Sequence, residues 1–80
     1  MLMPTKHIRI DNALIGVGAE ILALLDNEKT ISKLFYDLQA ERQDKELATI
    51  HFDWFLLALS FLFTIGAVRY KSGLIKKFNQ

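Results

Sequence analysis

The sequence predicts a mainly α-helical fold with a C-terminal β-hairpin, in the layout of a winged helix-turn-helix with three helices plus a wing. Two segments carry apolar residues at helical spacing, and a third, WFLLALSFLFTIGAV, runs for fifteen residues without a charge. The pattern then changes to two short apolar strands around a KSG turn. Three helices followed by a hairpin is the order of that fold. We expect residues 1–80 to form a single domain with a short extended N-terminal arm over residues 1–10.

The first predicted helix is DNALIGVGAEILALLD, capped by Asp11 or Asn12, whose side-chain oxygens can accept from the free amides of a first turn. Gly18 lies within its apolar face, where the absence of a side chain lets a second backbone approach closely. The residues that recur at helical spacing and form this face are Leu14, Val17, Ile21, Leu24 and Leu25.

The second predicted helix is ISKLFYDLQAER, and Thr30 is placed to cap it. A polar linker of mixed charge follows. The sequence assigns no role to its central part, residues 43–48. Ile50 and Phe52 then alternate with polar residues, which predicts a brief strand or an extended segment. The apolar face of the second helix consists of Ile31, Leu34, Phe35 and Leu38.

The third predicted helix begins near His51 or Asp53 and ends at Ile65, because Gly66 suits the left-handed residue that closes a helix. The hairpin follows, with KSG as a three-residue turn and its glycine in the left-handed conformation. Its apolar residues are Val68, Tyr70, Leu74, Ile75 and Phe78.

The third helix carries more apolar surface than two short neighbours can cover. On a helical wheel Asp53, Ser60 and Thr64 share one narrow stripe, and apolar side chains fill nearly all the rest. We expect the first two helices to cover Phe55, Ala58, Leu59 and Leu62. The flanking residues predicted to form a partner interface are Leu56 and Phe63 on one side, and Leu57 and Phe61 on the other. Alternatively, the hairpin and the N-terminal arm cover both flanks and complete an ordinary core.

The uncharged run is too short for a membrane span. Fifteen helical residues extend about 22 Å, whereas a bilayer core of about 30 Å needs about 20 apolar residues. The first residues of the chain also lack the apolar stretch of an export signal. A cytoplasmic protein without a membrane segment is the expectation.

The residue types that catalysis or metal binding would need are sparse. The chain has no cysteine, which excludes thiolate chemistry and disulfides, and its two histidines, His7 and His51, stand in unrelated contexts. His51 and Asp53 lack a third and fourth ligand at suitable spacing. We therefore expect no enzymatic activity, no metal and no cofactor.

Nucleic-acid binding by the third helix is also disfavoured, since residues 54–64 contain no Arg, Lys, Asn or Gln to contact base edges. The predicted hairpin is different, because it is basic and could contact phosphates without reading sequence. Alternatively, its charges are solvated and keep the strand edge from pairing with other chains. The candidate phosphate-binding residues are Arg69, Lys71, Lys76 and Lys77, with Lys6 and Arg9 from the arm.

Two segments, PTKHIRIDNALIGVGAEILALL and HFDWFLLALSFLFTIGAVRYKSGLI, resemble the small middle component, of the sixth type, of bacterial ABC-three-component systems. They cover more than half of the chain and occur in the same order. The residues that carry the resemblance are Pro4, Lys6, Leu14, Gly18 and Ala19 in the first segment, and Phe55, Ala58, Leu59, Phe61, Leu62, Ile65 and Gly66 in the second.

The resemblance implies a compact winged-helix adaptor that works beside an SMC-like ABC ATPase and an effector in defence against phages and plasmids. On this interpretation the chain couples these larger subunits without catalysis, and self-association is an additional possibility. The alternative function is a small winged-helix DNA-binding protein that contacts phosphates through its basic wing.

Overall fold

The computed structural model describes the backbone of residues 4–78 and the side chains of residues 13–78. Helices α1 (Pro4–Leu24), α2 (Ile31–Asp44) and α3 (Phe52–Thr64) precede strands β1 (Val68–Lys71) and β2 (Leu74–Lys77). The two strands pair as an antiparallel hairpin. The predicted class, mainly α-helical with a C-terminal hairpin, is therefore confirmed, and the order of elements fits a winged helix-turn-helix layout.

Helix α1 begins at Pro4, well before the predicted cap. The predicted extended arm is wrong for residues 4–10, which are helical, while residues 1–3 lie outside the described part of the chain. Proline suits the first helical position, because its φ is already helical and the amide it lacks would have no partner there. Asp11 and Asn12 lie within the helix instead of capping it, at a cost of roughly 0.7 kcal/mol or less each relative to alanine.

The predicted ends of α2 and α3 are largely confirmed. The Thr30 hydroxyl accepts a hydrogen bond from the Lys33 amide at 3.1 Å and caps α2, which extends to Asp44, into the predicted linker. Helix α3 ends with Ile65 as its C-cap, followed by Gly66 at a φ of +77°. Phe52 is the first residue of α3, so the brief strand considered before this helix does not form.

The turn of the hairpin contains two residues and not the predicted three. Ser72 and Gly73 have φ values of +55° and +81°, and Lys71 pairs directly with Leu74. Positive φ at both central positions is the mark of a type I′ turn, whose twist matches that of the two strands it joins. Lys71 therefore belongs to β1 and not to the turn.

A backbone bridge that the sequence did not reveal attaches the hairpin to the helical part. The amide of Lys29, between α1 and α2, donates to the Ile75 carbonyl at 3.0 Å, and the Ile75 amide donates to the Lys29 carbonyl at 2.7 Å. The Lys29 side chain donates to Asp37 Oδ2 of α2 at 2.7 Å. One residue thus ties β2 to the loop and, through its side chain, to α2.

The core lies where the three helices meet, and the hairpin covers one end of it. A methyl group placed on Gly18 of α1 would lie only 3.3 Å from Leu62 Cδ2 of α3, so the glycine lets these helices approach closely. The α3 residues predicted to be covered are all buried. The buried apolar residues of the described chain are Val17, Ile21, Leu25, Leu34, Leu38, Phe55, Ala58, Leu59, Leu62, Val68 and Ile75.

We expect Gly18→Val to lower the free energy of unfolding by about 1–3 kcal/mol, because the new side chain would collide with Leu62 and separate α1 from α3. Gly16→Val is the matched control: Gly16 lies on the same helix, but a methyl group placed there would meet no atom within 4 Å. Urea unfolding measures both. Equal stability of the two variants would contradict the close approach at Gly18.

The ion pairs of Asp37 should make the stability of the protein depend on pH. A hydrogen bond from Lys29 lowers the pKa of Asp37 below its ordinary value, as does one from Lys33, against the opposing effect of partial burial. A depressed pKa contributes stability at neutral pH that is lost as the pH falls through the pKa of the folded state. We expect Asp37→Asn to lower the free energy of unfolding by about 1 kcal/mol at pH 7. In strong acid the difference in unfolding free energy between this variant and the native chain should shrink, as urea unfolding at each pH would measure. A difference independent of pH would contradict the ionised pairs.

Candidate functional site

The side of α3 that faces away from the core exposes large apolar side chains. Leu57 is 53% exposed, Phe63 38% and Leu56 37%. We call these three residues the apolar patch. At 100° per residue they flank the stripe that holds Ser60 and Thr64, so they lie on one continuous side of the helix. Surface of this kind on a small domain is a candidate binding site.

The polar atoms within this side of α3 are few and partly satisfied. The Thr64 hydroxyl donates to the Ser60 carbonyl one turn earlier at 2.9 Å, so its proton is not offered to a ligand. From Trp54 to Val68 the chain carries no charged residue. The patch therefore suits an apolar partner surface rather than phosphates or base edges.

Phe61, the fourth residue predicted for the interface, lies next to Leu57 on the wheel but one step closer to the core. It is half-buried against the core, and its ring reaches within 3.9 Å of a methyl group placed on Gly18. Helix α1 thus covers Phe61 itself, while Leu57 on the same flank, and Leu56 and Phe63 on the other flank, remain exposed. Leu57 remains about half exposed, and the side chains of the arm that the alternative would place over it lie outside the described residues.

Two polar side chains of α2 hold the loop that leads into α3. Gln39 clamps Ile50, donating to its carbonyl at 2.6 Å and accepting from its amide at 3.0 Å. Arg42 donates to the Ala48 carbonyl at 2.7 Å and also contacts both carboxylate oxygens of Glu20 on α1. Sequence reasoning missed both roles, because the two residues stand among other polar residues. They fix where α3 begins and hence where the patch lies.

The aromatic side chains at the α2–α3 corner support this placement. The Phe35 ring lies 5.0 Å from that of Phe52 in an edge-to-face arrangement, and 5.1 Å from that of Phe55. Such pairs contribute about 0.5–1.5 kcal/mol beyond the area they bury. The first turn of α3 is thereby fixed against α2.

The cations of the hairpin form a second feature. Strand alternation places Arg69, Lys71 and Lys76 on the side opposite the buried Val68 and Ile75, and we call these three residues the basic face. The Arg69 guanidinium lies 4.7 Å from the centre of the Phe78 ring. Lys77 lies on the core side and is half-buried. The side chains of Lys6 and Arg9 lie outside the described residues.

Within residues 13–78 no three His, Cys, Asp or Glu side chains are close enough to hold a metal ion. His51 and Asp53 are both exposed at the start of α3, where the His51 side chain makes no capping hydrogen bond. No helix of the described chain is long and apolar enough to cross a membrane.

Comparison with known proteins places the chain in a family. The family described as ABC-three component (ABC-3C) system Middle Component 6 matches residues 3–78 of the 80 residues. No curated protein and no solved structure matches. The match spans all three helices and both strands, and with them the apolar patch and the basic face. The chain belongs to the middle component 6 family of ABC-three-component systems.

Proposed function

We propose that this protein is a non-catalytic adaptor that docks a larger subunit of its system onto α3. The observation that carries the proposal is the apolar patch, three large side chains left exposed on a side of α3 whose one charge, Asp53, lies in the first turn. Middle components act within a system of several subunits, so partner proteins are expected. In the full proposal the chain links an SMC-like ABC ATPase to an effector in a cytoplasmic bacterial defence complex.

The physical reason is the free energy of covering the patch. Fully burying a leucine or phenylalanine side chain contributes about 1.5–3 kcal/mol. The residues of the patch are already partly buried, so a partner that covers them gains a fraction of this free energy for each side chain. A few such anchors usually dominate the affinity of an interface. Self-association through the same surface is a weaker competitor that a better-fitting partner displaces.

The alternative function, DNA binding, finds no support in α3. A helix that reads sequence needs outward side chains that make paired hydrogen bonds to base edges. The outward residues here are leucine, phenylalanine, serine and threonine, and the Thr64 hydroxyl is already bonded within the helix. A role for DNA would rest on the hairpin alone.

We expect Leu57→Glu to abolish co-purification with the other components of the system, because it would bury a carboxylate in an apolar interface. Gln43→Glu is the matched control, since it adds the same charge at an exposed position of α2 away from the patch. Co-expression followed by affinity purification measures both. Circular dichroism should show that both variants keep the native helix content.

Full retention of the partners by the folded Leu57→Glu variant would exclude α3 as the docking surface. Loss of the partners in both variants would show that the effect comes from net charge, and would equally contradict the proposal. Light scattering of the isolated chain provides a second measurement, in which Leu57→Glu is expected to reduce any self-association that persists in high salt.

A further inference from the structure

Charges are distributed unequally between the helical part and the hairpin. The four cations described in the helical part, Lys29, Lys33, Arg42 and Lys45, each pair with a carboxylate. The three cations of the basic face have no carboxylate partner among the described side chains, and the hairpin contains no acidic residue. Phe78 holds the Arg69 guanidinium in place without satisfying its hydrogen-bond donors. The basic face therefore offers positive charge to an external anion.

The outer edge of β1 is open. The Phe78 amide donates to the Ala67 carbonyl, so these two residues form a hydrogen-bonded pair. Hydrogen-bonded and non-hydrogen-bonded pairs alternate along an antiparallel hairpin. Tyr70 and Ile75 therefore form a non-hydrogen-bonded pair, and the backbone groups of Tyr70 point away from β2. The opposite edge of the hairpin confirms this alternation. Ile75 is the residue paired with Tyr70, and its backbone amide and carbonyl point away from β1 and bond with Lys29. Lys29 thus closes the β2 edge, whereas the Tyr70 amide and carbonyl have no backbone partner in the described chain.

We propose that the hairpin is a second docking site, which takes an extended, acid-rich segment of a partner polypeptide as an added strand beside β1. Backbone hydrogen bonds to Tyr70 would hold the segment in register. Its alternate residues would fall beside Arg69 and Lys71, where carboxylates make charge-assisted hydrogen bonds. The arginine, already held by Phe78, loses little side-chain freedom on binding.

The structure favours a polypeptide over a nucleic acid for three reasons. An open strand edge offers a donor and an acceptor in the spacing of another backbone, whereas phosphates can only accept and leave the carbonyl without a partner. Phe78 and the half-buried Leu74 share the basic face, and they add apolar surface that phosphates do not need. Residues 54–64 of α3 also contain no Arg, Lys, Asn or Gln that would contact base edges beside a bound phosphate backbone.

This inference is independent of the apolar patch. Docking on α3 depends on Leu57 and does not involve the strand edge. Strand addition depends on the Tyr70 amide and does not involve α3. Either site can fail while the other holds, and the two sets of variants share no residue.

The test uses the full chain, a synthetic octapeptide of alternating glutamate and valine, the same peptide with lysine in place of glutamate, and a generic DNA duplex. Amide exchange by NMR provides the readout. We expect the acidic peptide to slow exchange of the Tyr70 amide, an effect that weakens with added salt, and the lysine peptide to leave it unchanged. Lys71→Glu should weaken binding of the acidic peptide roughly fivefold or more.

Tyr70→Pro removes the amide that a new strand needs but leaves the hairpin's own bonds intact, and Tyr70→Ala is its control, which keeps the amide. We expect the proline variant to lose the acidic peptide and the alanine variant to keep it. Unchanged exchange at Tyr70 of the native chain with the acidic peptide would overturn the proposal, whether or not the variants fold. Duplex binding that survives Tyr70→Pro, without peptide binding, would make the basic face a phosphate site instead.

Discussion

The contact between α1 and α3 at Gly18 determines which parts of this small protein are covered and which are open. Helix α3 is apolar around nearly its whole circumference and needs cover on more sides than two helices provide. The glycine brings α1 close enough to bury Leu62 and to shield Phe61. Because α1 occupies that side, and α2 closes the first turn of α3 through Phe35, the outward side that holds Leu56, Leu57 and Phe63 stays open. The exposed surface is thus a direct result of how the core is packed.

The polar residues separate into two groups with different tasks. Arg42 and Lys29 pair with carboxylates, and they also order the loops before α3 and before α2. These pairs are partly buried, and because desolvation offsets much of their attraction, their main effect is to fix geometry. The hairpin follows the opposite pattern, with cations and no acids, and its net charge is available for recognition. A protein with one apolar and one cationic surface would distinguish two partners by their chemistry under the proposed adaptor function.

Apolar periodicity was sufficient to predict the three helices, the buried side of α3 and the Thr30 cap, because each of these depends on residues close together in sequence. The start of α1 was misplaced, since Asp11 and Asn12 resemble a cap although Pro4 begins the helix. The Lys29 bridge and the clamps by Gln39 and Arg42 were not predictable. The bridge joins residues distant in sequence through backbone groups, which do not depend on residue type. The clamps bind backbone groups of a loop, so no partner side chain marks them in the sequence. How far each flank of α3 stays exposed likewise depends on how α1 packs against it, which the sequence pattern does not specify.

The Lys29–Ile75 bridge has a consequence for the geometry of the assembly. Hinging the hairpin away from the helices would break two backbone hydrogen bonds and expose the fully buried Ile75. The bridge therefore opposes a hinge motion of the hairpin and favours movement of the helices and strands together. Two subunits bound to this protein, one at the apolar patch and one at the basic face, would be kept at a constant separation and orientation. In that arrangement the protein acts as a molecular spacer, and its small size sets the distance between its neighbours.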